Sequence, residues 1–522
     1  MIGSERMVRT LLKNDVSVCF ANPGTSEMHF VSALDRLPEM RCVLGLFEGV
    51  VTGAADGYYR MADRPAATLL HLGPGLGNGL ANLHNAKRAR SGIVNIIGQH
   101  ARDHIANDAP LTADIEGIAR PVSQWVRTCA SPATAVDDTA AAVRAASGPR
   151  PQVASLILPA DVAWQECPAE AVAAAPHRPL PGPASDVVDR IAALMTAGGY
   201  APGSVALLLG GRAMREPATR LAGQIAARTG CRLLAETKNA RSARGRGRVN
   251  IPQVPYPFDA AVETLKDIRL LILVDAVRPV AFFAYPGKPL FLAHPDCRIE
   301  TLASVDEDVA RALGALNEAV GGRGDAVAYL GAEQAAEPPA DGPASAEGIA
   351  KVLAAMLPEN AIVVDEAITH GRQLQRMCAS APPHDWLEIT GGSIGYGLPC
   401  ATGAAVACPD RKVVAIIGDG SAMYTLQALW TMAREALDVT VVICANRKYQ
   451  ILRGELAAMG GPPPAENAQR MLTLDRPDLD WVSLARGHGV PGVRVDNLTD
   501  FARALGNGLS DRGPSLIEVV LP

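Results

Sequence analysis

Short apolar runs rich in Val, Ile, Leu and Ala punctuate the chain from end to end, and between them apolar positions recur at helical spacing. The first runs are residues 16–20, 67–71 and 92–97, with helical patterns over 49–61 and 79–90 between them. Runs at 204–209 and 270–274 flank a helical pattern at 217–229, and 361–365, 413–417, 439–444 and 515–520 follow. A continuous apolar run bounded by turn residues suits a strand buried on both faces, as in a parallel sheet. Strands alternating with helices throughout predict doubly wound parallel α/β sheets with right-handed crossovers.

The pattern lapses twice. Residues 167–186 (CPAEAVAAAPHRPLPGPASD) and 331–348 (GAEQAAEPPADGPASAEG) are rich in Ala, Pro and Gly and carry little apolar repeat, which marks them as linkers. They divide the 522 residues into parts spanning 1–168, 187–330 and 345–522, in line with roughly 150 residues per domain.

Composition narrows the chemistry. The chain is 48% hydrophobic with a formal net charge of −5, and its charges are interspersed, which argues against a nucleic-acid groove as its main business. Ten cysteines occur singly, without a CxxC pair, as reduced core residues of a cytosolic protein do. No apolar stretch reaches membrane-spanning length, and Met-Ile-Gly-Ser-Glu-Arg does not open a secretion signal. The expectation is a cytoplasmic protein without nucleic-acid or membrane partners.

Residues 413–446 (VVAIIGDGSAMYTLQALWTMAREALDVTVVICAN) carry the strongest signal. An apolar strand ends in Gly418-Asp419-Gly420-Ser421, a helix-length stretch follows, and a second strand delivers Asn446. In open parallel sheets, phosphate-bearing ligands bind at the carboxyl ends of strands and at the helix N-termini that follow. The Asp419 carboxylate, the Asn446 amide oxygen and a backbone carbonyl are hard oxygen donors of the kind Mg²⁺ takes together with phosphate. The combination predicts a metal-bridged diphosphate. A second glycine-rich stretch, 73–79 (GPGLGNG), does not scan as a GxGxxG fingerprint; it reads either as a flexible turn or as close approach of backbone to a ligand.

The order Gly-Asp-Gly, helix, strand and Asn resembles the cofactor motif of thiamine-diphosphate enzymes, and essentially the whole chain is similar to the acetolactate synthase-like and benzoylformate decarboxylase-like group. The resemblance implies three doubly wound parallel-sheet domains, in the order pyrimidine-binding, middle and diphosphate-binding. It implies thiamine diphosphate and Mg²⁺ as cofactors, with Asp419, Asn446 and the Lys448 backbone carbonyl on the metal. Gly420, Ser421 and Thr369 would contact the diphosphate, joined by Tyr424 and Tyr449. In residues 390–399 (TGGSIGYGLP), Gly392 would offer its carbonyl to the aminopyrimidine and Ile394 would be the wedge that bends the cofactor. Glu48, in LGLFEGVVTGAADGYYR, matches the carboxylic acid that shares a proton with the pyrimidine ring and so generates the C2 ylid. His71 in TLLHLGPG and Thr25 in ANPGTSEMHF match substrate-handling positions of benzoylformate decarboxylase.

Departures from that enzyme stand beside the matches. Phe282 takes the place of its second His, Ala445-Asn446-Arg447 that of the usual Asn-Asn-Gly, Ile368 that of a hydroxyl, and Glu455 lies near an aromatic position. Phe282 means that the proton relay of that enzyme does not carry over, and Glu455 and Ile368 speak against a pocket for an aromatic 2-oxo acid. The implied activity is decarboxylation of a 2-oxo acid through the ylid and an enamine-carbanion, which is then protonated or joined to a second carbonyl such as an aldehyde. The alternatives are a 2-hydroxyacyl-CoA lyase-like enzyme, with Arg447, Lys448 and Arg453 as a basic patch, or a catalytically silent cofactor-binding paralogue. The resemblance also implies a homodimer or homotetramer with active sites between chains, and residues 187–330 show no signature for FAD.

Overall fold

The computed structural model describes residues 1–522 apart from 325, 332–336, 338–340, 461 and 462, so the 332–336 and 338–340 portions of the second linker lie outside the described residues. Three sheets carry the chain. The first has six parallel strands in the order Arg41–Leu44, Val18–Asn22, Ala66–Leu70, Ile93–Gln99, Val153–Pro159, Trp125–Thr128. The second has four, in the order Arg298–Ala303, Leu270–Val274, Val205–Leu209, Arg232–Ala235. The third has seven: Gly492–Val495, Ser515–Val520, Val439–Ala445, Val413–Gly418, Ile362–Glu366, His384–Glu388 and Ser242–Arg244. All pair in parallel except Ser242–Arg244, which leaves the middle part of the chain to pair antiparallel with His384–Glu388. The central strands are buried along their whole length because helices cover both faces.

Among the parallel strands of each sheet the chain lays the second on one side of the first and the third on the other. The resulting switch points lie between Val18–Asn22 and Ala66–Leu70, between Val205–Leu209 and Leu270–Val274, and between Ile362–Glu366 and Val413–Gly418. Loops diverge there and leave a crevice at the carboxyl ends of the strands.

Two local expectations change. Helix Leu72–Ala89 begins before the 79–90 pattern and takes in the whole glycine-rich stretch 73–79. Two of those glycines admit close neighbours: a Cβ on Gly79 would lie 2.9 Å from Thr52 Cγ2 of helix Glu48–Ala62, and one on Gly73 2.6 Å from Ala113 Cβ in the segment before helix Ile115–Ala119. The helix-length stretch after Ser421 is two short helices, Asp419–Ala422 and Ala428–Arg434, separated where the Thr425 hydroxyl donates to the Gly395 carbonyl at 3.0 Å.

The first and third sheets are joined by helix Glu48–Ala62 crossing helix Gly397–Ala407. A Cβ on Gly57 would collide with the Cys400 carbonyl, and one on Gly403 with the Ala54 carbonyl. Buried Arg60 completes the joint, donating to Asp56 at 2.7 and 2.8 Å, to the Glu388 carbonyl at 2.6 Å and to Tyr396 Oη at 2.8 Å. Since backbone cannot swing aside as a side chain can, Gly403→Ala is expected to cost about 1–3 kcal/mol. Gly314, in helix Val309–Ala319, has open space at its Cβ position, so Gly314→Ala should gain about 0.5–1 kcal/mol. Thermal melting reads both, and shifts of the same sign would refute the packing argument.

Candidate functional site

Thr25, Glu48 and His71 follow three neighbouring strands of the first sheet and gather at its switch point. Glu48 is the first residue of helix Glu48–Ala62; its buried carboxylate accepts from Asn78 Nδ2 at 3.0 Å. Glu48 Oε1 lies 3.2 Å, and His71 Cβ 3.3 Å, from the place a Cβ on Gly75 would take. Gly75 therefore does permit a close approach, but by a carboxylate of the chain itself. The His71 ring lies over Gly24, with Nδ1 2.8 Å from Glu27 Oε2 and 3.2 Å from Ser26 Oγ. Thr25 is exposed at the start of the turn Thr25–Glu27.

At the third sheet's switch point stand Asp419 and, one strand over, Asn446. Asp419 is buried; its Oδ1 accepts the Gly420 N–H at 2.9 Å and its Oδ2 the Arg447 N–H at 2.7 Å. Among the described residues no cationic side chain pairs with it: the Arg447 guanidinium goes to Asp478 at 3.5 Å and Lys448 Nζ to the Pro522 carbonyl at 3.3 Å. Burial lifts its pKa above the ordinary carboxylate value. A buried carboxylate short of counter-charge fits a divalent cation. Among the described residues no three His, Cys, Asp or Glu side chains converge on one point, so the other ligands must be neutral oxygens or come with a bound phosphate, as suits Mg²⁺. Asn446 Oδ1 accepts the Lys448 N–H at 3.1 Å, and Nδ2 faces His370 Nε2 at 3.0 Å. Arg447 sits at φ 55°, so the loop keeps a bend natural to glycine at a cost of about 1 kcal/mol.

The remaining residues border these two. Ser421 is buried, and the Tyr449 ring covers Gly420, where a Cβ would lie 2.5 Å from Tyr449 Cε1. Tyr424 is exposed. Gly392 adopts φ 75°, open to glycine alone at low cost, and Phe282 Cζ lies 3.0 Å from its would-be Cβ. Ile394 is half-buried against the main core. Thr369 lines a cleft of about 430 Å³ together with Tyr256, Tyr285, Arg372 and Glu455. Tyr285 Oη donates to Glu455 Oε2 at 2.9 Å and Tyr256 Oη to Oε1 at 3.4 Å. Burial, and then the Glu455 charge, push the Tyr256 pKa up to about 12, so its phenol stays a donor.

Several residues at these sites escape a reading by motif. Buried Glu366, its pKa raised to about 7 by desolvation, accepts the N–H groups of Gly395, Tyr396 and Gly397 at 2.8, 3.1 and 2.7 Å and so fixes the 390–397 loop. Asn82 and Asn85 hold the same loop by the Gly395 and Ser393 carbonyls at 3.1 and 2.7 Å. Glu27 stands three residues after Gly24 and accepts its N–H, the spacing of a capping carboxylate, which is the one signal for it in the sequence.

The middle sheet's switch point holds carboxylates. Gly210 and Gly211 follow its first strand, and a Cβ on either would collide with Glu236 or Asp275 respectively. Asp275 accepts the Arg212 N–H at 2.8 Å and pairs with Arg90; Glu236 accepts the Val277 N–H at 2.8 Å.

The chain matches the family models described as "Thiamine pyrophosphate enzyme, N-terminal TPP binding domain" over residues 1–118 and "Thiamine pyrophosphate enzyme, C-terminal TPP binding domain" over 369–519. It is 47% identical over 523 residues to a Mycobacterium tuberculosis protein named "Putative acetolactate synthase large subunit IlvX", covering 100% of this chain and 99% of that one. It is 30% identical to benzoylformate decarboxylase of Pseudomonas aeruginosa, over 98% of this chain and 97% of that one. The fold matches the thiamine diphosphate-dependent 4-hydroxybenzoylformate decarboxylase of Rhodococcus jostii RHA1 with a TM-score of 0.82 at 24% identity, covering 100% and 99% of the two chains.

Proposed function

The chain belongs to the thiamine pyrophosphate enzyme family, and on that premise we propose that it releases CO₂ from a short aliphatic 2-oxo acid and hands the remaining fragment to a proton or to a second carbonyl compound. The observation that carries this reading is the buried Asp419 carboxylate at the third sheet's switch point, without a cationic side-chain partner among the described residues and hydrogen-bonded to the loop that bears Asn446. Thiamine diphosphate bound there would supply the nucleophilic carbon and the electron sink that decarboxylation needs.

The chain's own residues bind, orient and move protons. Asp419, Asn446 and the Lys448 carbonyl would hold Mg²⁺, while Gly420, Ser421, Thr369, Tyr424 and Tyr449 would hold the diphosphate. The Gly392 carbonyl and the Glu48 carboxyl would engage the aminopyrimidine, where Glu48 could give or take a proton, and Ile394 would pack beneath the group. His71 and Thr25 orient the substrate carboxylate and move protons beside it.

Two further features complete the reading. Within one chain no hydrogen bond or ion pair among the described residues links Glu48, His71 or Thr25 to Asp419, Asn446, Ser421 or Thr369. Met28 and Leu46, beside the first group, are 46% exposed. Both observations support a homodimer, or a tetramer of such dimers, in which one copy's Glu48 completes the other's cofactor site. An enzyme without FAD is part of the proposal. No described helix is long and apolar enough to cross a membrane, and a cytoplasmic site of action is part of the proposal.

Glu455 and its two phenols put a charge and two hydroxyls into a cleft also lined by residues such as Phe258, Ile451 and Met459, and a large aromatic substituent would have to pack against that charge. With thiamine diphosphate and Mg²⁺ present, a panel of 2-oxo acids assayed for CO₂ should show short aliphatic members preferred over benzoylformate by about tenfold or more. No CO₂ from any member would end the decarboxylase reading, and equal rates would end the assignment of Glu455.

A further inference from the structure

We propose that Glu27 is the positioning residue that sets the tautomer and orientation of His71, so that Nδ1 carries the hydrogen and Nε2 is the nitrogen offered to the cleft. Glu27 is 3% exposed and accepts from three donors: the Gly24 N–H at 2.8 Å, Ser26 Oγ at 2.6 Å and His71 Nδ1 at 2.8 Å. A carboxylate only accepts, so the nitrogen facing it must be the one that bears hydrogen.

Ser26 is the competitor for that nitrogen, since its Oγ lies 3.2 Å from Nδ1. Its single hydrogen is committed to Glu27 Oε1 by the shorter 2.6 Å bond, so it cannot also donate to Nδ1 and reverse the tautomer. Nor can the carboxylate easily turn away. It is pressed against Gly98, at the end of strand Ile93–Gln99, where a Cβ would collide with Glu27 Oε1. The ring is held on its other side, because a Cβ on Gly24 would collide with His71 Cγ and Nδ1.

The kinetic consequence rests on the reading above, in which His71 acts on substrate; the tautomer does not. In neutral imidazole one nitrogen donates and the other accepts, so fixing Nδ1–H fixes Nε2 as the proton acceptor toward substrate. Glu27→Ala removes the acceptor and frees the Ser26 hydroxyl to donate to Nδ1, which favours the opposite tautomer. Glu27→Gln can keep an amide oxygen facing both Gly24 N–H and Nδ1, so it should restore much of what Glu27→Ala loses.

The test uses ¹⁵N-histidine-labelled full-length protein, with His71→Asn to assign the resonances. The wild type should show a pyrrole-type Nδ1 and a pyridine-type Nε2 at His71, and Glu27→Ala a shift toward the reverse. Glu27→Ala should lower kcat for CO₂ release by about a hundredfold with KM little changed, and Glu27→Gln should recover at least a tenth of wild-type kcat. A wild-type Nε2–H tautomer, or Glu27→Ala with kcat within about threefold of wild type, would overturn the proposal. If the wild type releases no CO₂, the functional reading fails by itself, and the wild-type ¹⁵N shifts still decide the role of Glu27.

Discussion

Glu48→Gln should lower CO₂ release roughly a thousandfold while changing cofactor affinity by less than about threefold. The large loss follows from the role of the group. A buried carboxyl beside the aminopyrimidine can exchange a proton with the ring nitrogen, and an amide of the same shape cannot. The small change in affinity follows from where Glu48 stands: it belongs to the first sheet's switch point, whereas Asp419, Ser421 and Thr369 belong to the third sheet's domain. The fold should survive, since the Gln oxygen can still accept from Asn78, as Glu48 Oε2 does at 3.0 Å. Hydrogen–deuterium exchange at C2 of the bound cofactor, followed by NMR after acid quench, isolates the step from substrate binding. It should slow in parallel with turnover. A variant that keeps a tenth of wild-type turnover would remove Glu48 from the mechanism.

What the sequence reveals depends on how local each cause is. Strand 270–274 is legible to the residue because burial on both faces demands an unbroken apolar run, and 515–520 is legible as well although Glu518 interrupts its run. Asp419 and Asn446 are legible as a pair for a similar reason: each is placed by the strand it ends, and the two strands are neighbours. The stretch 73–79 misleads because glycine gives the same local signal whether it frees a loop or admits a close neighbour inside a helix, and only the distant Thr52 and Ala113 decide between them. Glu366 and Glu27 stay hidden since their partners lie far along the chain, at 395–397 and at His71. Strand Ser242–Arg244 joins the third sheet through a register that only the assembled domains create. Phe282 is a middle case. Its departure from benzoylformate decarboxylase is visible in the sequence, yet its packing against Gly392 is a tertiary fact.

Asp419→Asn should weaken Mg²⁺-supported binding of thiamine diphosphate by more than about 100-fold, while in the cofactor-free protein relief of the buried charge offsets the loss of an acceptor for one of two backbone N–H groups. Burial holds the folded-state pKa of Asp419 above its unfolded value. Its ionised form is therefore a cost to the metal-free fold above the folded pKa, and the cost fades as pH falls below the unfolded value. The neutral amide removes that cost, so the metal-free stability of the variant relative to wild type should fall on acidification, whereas only the wild type gains stability when Mg²⁺ and cofactor are added. Calorimetry at two pH values, with and without both ligands, reads each part; an undiminished cofactor-induced stabilisation in Asp419→Asn would take Asp419 out of the metal site. Coexpression with Glu48→Gln then tests how the site is assembled. If Glu48 and Asp419 of one chain served the same site, every mixed oligomer would be inactive, since each chain lacks one of the two. If they serve different sites across a two-fold interface, random pairing makes about half of the dimers mixed, and each mixed dimer has one intact site. The mixture should then regain about a quarter of wild-type activity, although neither variant alone exceeds about a hundredth of it. Only a site shared between copies can produce that recovery.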